Sequence, residues 1–100
     1  MKRPTRDLSD IIGRPTPLRV QEELAIREKA YRKAKGITQR ELAKLSNVSY
    51  ASIRRFEATG EIALWALLSI ASALGCLEDF SAVFKGPVYN SIEDVINATR

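Results

Sequence analysis

Arg54 and Arg55 follow Tyr50 and Ala51 by four residues each, and this quartet holds the side chains best suited to recognition chemistry. A guanidinium is a planar fork of donors that matches the O6 and N7 edge of guanine and also clamps a phosphate. Ala51 offers only a methyl, which suits the methyl of thymine. Tyr50 brings a ring and a hydroxyl, for a base or for a phosphate. On a helix the two arginines lie about 100° apart. One is therefore expected to read base edges while the other grips the backbone; a phosphate clamp without base readout is the competing use. Upstream, Gln39, Arg40, Lys44 and Ser49 supply an amide, two cations and a hydroxyl suited to phosphate oxygens. Each would otherwise be plain solvated surface.

Catalytic chemistry has little to work with. The chain contains no histidine, so there is no imidazole acid, base or metal ligand. A single cysteine, Cys76, lacks the usual activating base and cannot form an internal disulfide. It is expected to be a buried, inert thiol in a reducing cytoplasm. No Gly-rich phosphate loop is present, and the carboxylates are scattered or sit in helix first turns. Neither an enzyme nor a cofactor or metal site is expected.

One hundred residues with 45% apolar content suit one domain that buries its own core. The longest apolar run, residues 62–68, is far too short to span a bilayer, and no secretory signal follows the basic start. A cytoplasmic, nucleoid-associated protein is expected. Net charge is +4, but it is unevenly placed: residues 1–55 carry 14 of the 16 Lys and Arg and 6 of the 12 Asp and Glu. A polyanion is the natural partner of such a half, and a solvated face with no partner is the alternative.

The elements that must position these groups can be traced through their caps. Residues 1–15, with Lys2, Arg3, Arg6, Arg14, Pro4 and Pro15, read as a basic arm in which Leu8, Ile11 and Ile12 could form a docking turn. Thr16-Pro17 starts a helix over 17–35, stopped by Gly36. Its apolar stripe is Val20, Leu24, Tyr31 and Ala34, with Ala30 beside it and Glu28 interrupting. Thr38 with Glu41 is a capping box for a helix over 39–45 that should bury Leu42, Ala43 and Leu45. Ser46-Asn47 makes the break, because Asn tolerates the left-handed conformation. Val48 plugs the turn, and Ser49 caps a helix over about 50–58 with Ala51 or Ser52, Ile53 and Phe56 inward.

An apolar helix over 63–74 follows, in which Trp65, Leu67, Leu68, Ile70, Ala71 and Leu74 wrap most of the circumference. A short helix over 78–84 carries Phe80, Val83 and Phe84. Val88-Tyr89 could be extended, and Ser91-Ile92-Glu93-Asp94 opens a terminal helix to about residue 98. The expected fold is all-α: five helices over 16–85, an arm over 1–15 and a tail over 86–100.

Residues 24–85 resemble the helix-turn-helix domain of phage repressors, Cro proteins and Xre-type regulators. The resemblance is carried by Arg32-x-x-x-Gly36-Ile37-Thr38-Gln39-x-x-Leu42-Ala43 and then Val48-Ser49-x-x-Ser52-Ile53-x-x-Phe56-Glu57. Two positions depart from the pattern: Asn47 stands where Gly is commoner, and Glu28 where an apolar residue is usual. Residues 64–84, the proline after them and Ser91 to Ile96 look like small antitoxins of the HipB type.

The resemblance implies a lambda-repressor-like fold in which positions matching Tyr50, Ala51, Arg54 and Arg55 meet bases, with Arg55 the expected reader. Gln39, Arg40, Lys44 and Ser49 would meet phosphates. Arg32 and Glu57 would form an internal ion pair; its alternative is an exposed pair of little worth. The protein would be a homodimeric repressor on an inverted-repeat operator in double-stranded DNA. Trp65, Phe80, Phe84, Val88, Tyr89 and Ile92 are candidates for the dimer or partner contact, and a HipA-like kinase toxin is the implied partner. A plain repressor without a toxin, or a protein–protein adaptor that has lost DNA, are the alternatives.

Overall fold

A computed structural model describes residues 14–87 and Ile96. Among them are four α-helices and one 3-10 helix, with no strand: α1 Pro17–Ala34, α2 Gln39–Ser46, α3 Tyr50–Thr59, α4 Leu64–Ala73 and a 3-10 helix Leu77–Ala82. The arm and the tail expected at the two ends lie, apart from Arg14, Pro15, Gly86, Pro87 and Ile96, outside the described residues.

Local chemistry sets the helix limits. The Thr16 hydroxyl accepts from Arg19 N at 3.1 Å, and proline occupies the first turn of α1. Thr38 and Glu41 close a reciprocal capping box on α2, with bonds of 2.9 and 3.1 Å. Asn47 adopts φ 58 at the end of α2, the left-handed turn its short polar side chain permits. The Ser46 hydroxyl donates to Leu42 O at 2.7 Å and accepts from Val48 N at 3.3 Å. That clasp holds the α2–α3 turn tight and drives Val48 inward, where it is 2% exposed.

Leu42, Val48, Ile53, Ala66, Ile70 and Leu74 form one buried cluster, with Ile37, Ala43, Ile62, Ala73 and Cys76 packed on its edge. It joins α2, α3 and α4 around the turn, so burial of apolar surface fixes the angle at which α3 is held. Phe56 is buried as well, and α1 lies against α3. Where α3 ends, Gly60 has φ 84 and is buried; a Cβ there would lie 2.9 Å from the backbone of Gln21. Gly60→Ala should therefore destabilise the fold by more than about 1 kcal/mol, combining a left-handed strain with a clash against α1. Urea denaturation checks this; an unchanged midpoint would mean that α1 can move away freely.

Several packing expectations are corrected. The inward stripe of α1 is Ala25, Glu28 and Arg32, while Val20 and Tyr31 are exposed, as are Ala30 and Ala34, and Leu24 is half-buried. Charge pairing, not apolarity, decides this face. Leu45 is exposed: Leu42, Ser46 and Ala43 take the inward side of α2, and Leu45 falls off it on the far flank of Leu42. Ala51 is exposed and Ser52 half-buried. Trp65 and Leu64 stand out from α4, whose buried side is Ala66, Ile70 and Ala71. Cys76 is half-buried. The helix expected over 78–84 is 3-10, not α, and stops at Ala82; Asp79 N bonds Cys76 O and Val83 N bonds Phe80 O, three residues apart. Phe84 follows with φ 65, fully exposed.

Candidate nucleic-acid interface

Ile53 and Phe56, at 0% and 1% exposure, fix the rotation of α3. The opposite side of the helix then presents Ala51, Arg54, Arg55 and Ala58 to solvent. These four, with Glu57, Gln39 from α2 and Lys29 from α1, line an open cleft of about 510 Å3. The structure thus brings Gln39, Ala51, Arg54 and Arg55 to one surface. Lys29 was not among the sequence-based candidates. It lies three residues before Arg32, and the bond of Arg32 to Glu57 turns this side of α1 toward α3.

The arginines differ in their partners. Arg55 donates from Nε to Glu61 Oε1 at 3.0 Å and from Nη2 to the same oxygen. Both side chains are exposed, 68% and 58%, so water screens this pair and it adds little stability. Arg54 lies over the Tyr50 ring at 5.5 Å, and Arg40 from α2 lies over the same ring at 4.1 Å. The ring quadrupole attracts both cations and steadies them, at about 0.5–1 kcal/mol per exposed contact. Tyr50 is thus a platform for two guanidiniums, an arrangement that the linear sequence did not disclose.

Beneath this surface sits a buried charged network. Arg32 donates from Nε and Nη2 to the two Glu57 oxygens at 2.8 and 2.9 Å, and from Nη1 to Ile37 O at 2.8 Å. The side chains of Arg32 and Glu57 are 7% and 3% exposed. The Glu57 hydrogen bond raises the Arg32 pKa above its ordinary value, against the opposing effect of burial. Gln39 Nε2 donates to Glu57 Oε1 at 3.0 Å. One amide hydrogen and the carbonyl of Gln39 thus remain for an outside partner, and its orientation is fixed from within. Helix α2 begins at this residue, so its N-terminal amides add positive potential at the same point.

Ser49 has its hydroxyl engaged by the α3 cap: Oγ accepts from Ser52 N at 3.1 Å and donates to Ser52 Oγ at 2.8 Å. Lys44 is exposed on α2. The residues expected at a dimer or partner contact fall into separate places. Trp65 lines a hollow of about 240 Å3 with Ser52, Arg55, Glu61 and Ile62. Phe80 lines a mainly apolar groove of about 480 Å3 between α1, α4 and the 3-10 helix, with Val20, Leu24, Tyr31 and Leu67. Phe84 stands apart in solvent. Val88, Tyr89 and Ile92 lie outside the described residues.

A cationic helix face over a fixed amide and a helix N-terminus can take phosphate and base edges together. Compared with known protein families, the chain matches the helix-turn-helix model over residues 29–80, from the middle of α1 into the 3-10 helix. No curated protein and no solved structure matches it.

Proposed function

The chain belongs to the helix-turn-helix family of DNA-binding regulators, and on that premise we propose that it is a homodimeric repressor that reads an inverted-repeat operator with α3. The observation that carries this reading is the outward face of α3, where Ala51, Arg54 and Arg55 meet Gln39 and Lys29 in one cleft. Arg55 reads a base, and Arg54, steadied on Tyr50, grips a phosphate. Gln39, Arg40, Lys44 and Lys29 hold the flanking backbone. Ser49 contributes through its place at the α3 N-terminus, since its hydroxyl serves the cap. Trp65 and Phe80 are dimer or partner contacts on separate faces, with Phe84, Val88, Tyr89 and Ile92 continuing toward the tail. The setting is the cytoplasm, at the nucleoid.

Within that role, the protein is the antitoxin of a toxin–antitoxin operon, repressing its own operon and holding a HipA-like kinase toxin. The support is the likeness of residues 64–84 and 91–96 to HipB-type antitoxins. A plain repressor is the second reading: the family match over residues 29–80 covers the DNA-binding domain that both readings share.

Selection from random duplexes tests the first level. The expected product is two half-sites with centres about 34 Å apart, one helical turn; a single unrepeated site would rule out the symmetric dimer. Lys29, Arg40, Lys44 and Arg54 from each subunit imply about eight phosphate contacts, so affinity should fall about 10,000-fold between 50 and 200 mM salt. Binding that ignores salt would remove DNA and leave the adaptor. Co-expression with the neighbouring gene product tests the antitoxin level. A stable complex with a kinase-like protein is expected, and its absence leaves the plain repressor.

A further inference from the structure

Among the described residues, the buried side-chain atoms that lack a hydrogen-bond partner are the two carboxyl oxygens of Glu28. This side chain is 7% exposed, and its nearest cation, Arg32 Nε, stands 4.0 Å from Oε2, beyond hydrogen-bond length. Arg32 directs its donors to Glu57 and Ile37 O instead. Glu28 Oε2 and Glu57 Oε2 stand around the same atom, Arg32 Nε, at 4.0 and 2.8 Å, so two buried carboxyls share one cation. Two ionised carboxylates in one buried site repel, whereas a single proton between them makes a hydrogen bond. Glu57 is the partner kept ionised, because Arg32 and Gln39 both donate to it. A proton shared by the pair would accordingly sit on Glu28.

We propose that Glu28 is a positioning residue for DNA recognition: as a neutral acid it donates its proton to Glu57 and locks the Arg32–Glu57–Gln39 network that presents α3 and the Gln39 amide to the duplex. This rests on the DNA-binding reading above. Loss of the proton puts two anions beside one guanidinium whose Nε and Nη donors already serve Glu57 and Ile37 O, and the group most directly disturbed is the carboxylate that holds Gln39. The surroundings agree. Burial, then the hydrogen bond and charge of Glu57, push the Glu28 carboxyl up to about 8, with Arg32 opposing. Burial also raises Glu57, but hydrogen bonds from Arg32, Glu28 and Gln39, with the Arg32 charge, outweigh it and hold that carboxyl at about 2.

The groups facing Glu28 come from each element packed around it. Arg32 is on its own helix, Glu57 on α3 and neutral Gln39 on α2. In the adjoining groove, α4 offers only the apolar Leu67, Ile70 and Ala71, while Arg27, Tyr31, Cys76 and Asp79 are the other titratable groups of the lining. The Cys76 thiol is itself pushed up, by burial and then by Asp79, with Lys35 opposing and Glu28 adding to the rise.

Unfolded, Glu28 loses its proton near 4.5; folded, it keeps it to about 8. Folding takes up a proton between those values. The stability this group supports is complete below the lower value and drains away as pH rises toward the upper one.

The test compares the full chain with E28Q and E28L across about pH 5 to 9, by melting temperature and by affinity for the selected duplex. Glutamine keeps the size and an N–H donor for Glu57 but never ionises. At the acid end, wild type and E28Q should melt together. As pH rises to about 8, the wild type should lose several degrees that E28Q keeps. Wild-type DNA affinity should fall several-fold above pH 8 while that of E28Q stays level. E28L, neutral without a donor, should show no pH slope and bind more weakly than E28Q throughout. Parallel wild-type and E28Q profiles, with DNA binding intact, would overturn the positioning role alone. If no variant binds any duplex, the DNA-binding reading fails and takes this role with it.

Discussion

Arg32→Ala is expected to destabilise the domain by about 3–5 kcal/mol, because it strands a buried carboxylate without its cation. Glu57 is 3% exposed and accepts two bonds from the guanidinium. Without them, its charge keeps only neutral donors, the Gln39 amide and the Glu28 acid proposed above. The same substitution frees Ile37 O, the acceptor that ties the end of α1 to the start of α2. For a domain of this size, each kcal/mol moves the melting temperature by about 4–8 °C, so a fall of more than about 10 °C should be read by thermal melting. Arg32→Lys should recover only part of this, since an ammonium cannot bridge both Glu57 oxygens and Ile37 O in a planar fork. A melt within the error of wild type would show that water reaches Glu57 and that the pair holds nothing together.

The second large effect concerns the duplex. Arg55→Ala should cost about 1–3 kcal/mol on the selected site and relax one base position in each half-site. Arg54→Ala should weaken every duplex alike, as the loss of a phosphate contact does. Both arginines are exposed, and the Arg55–Glu61 pair is open to water, so neither change should unfold the protein. Circular dichroism on the same samples checks that. Equal weakening of random and selected DNA by Arg55→Ala would move the reading role elsewhere on α3. Glu61 gives this variant a particular interest. Its carboxylate holds the Nε side of Arg55, so only part of the guanidinium donor set is free to approach a base while that contact lasts.

Much of the fold was legible because helix ends are decided locally. Thr16, Thr38 with Glu41, Asn47 and Ser49 each act on backbone groups within a few residues, and the observed limits of α1, α2 and α3 differ from the expected ones by a residue. The rotation of α3 was legible for a similar reason: Ile53 and Phe56 are three apart, and apolar burial leaves them one way to face. The rotation of α1 was not. Its apolar residues Val20, Leu24 and Tyr31 suggested one stripe, but Glu28 and Arg32 turned inward. A charged side chain is buried only when its partner is in place, and that partner, Glu57, comes from 25 residues further along.

The sequence by itself therefore determined where α1, α2 and α3 start and stop and which side of α3 meets the core, because capping and apolar phase act within a turn or two of chain. Tertiary structure alone decided which residues share a surface. It set Lys29 in one cleft with Arg55, stacked Arg40 and Arg54 on Tyr50, parted Trp65 from Phe80, and buried Glu28 and Glu57 around Arg32. These pairings depend on how helices cross, and long-range desolvation and charge set that crossing, with no mark in local spacing.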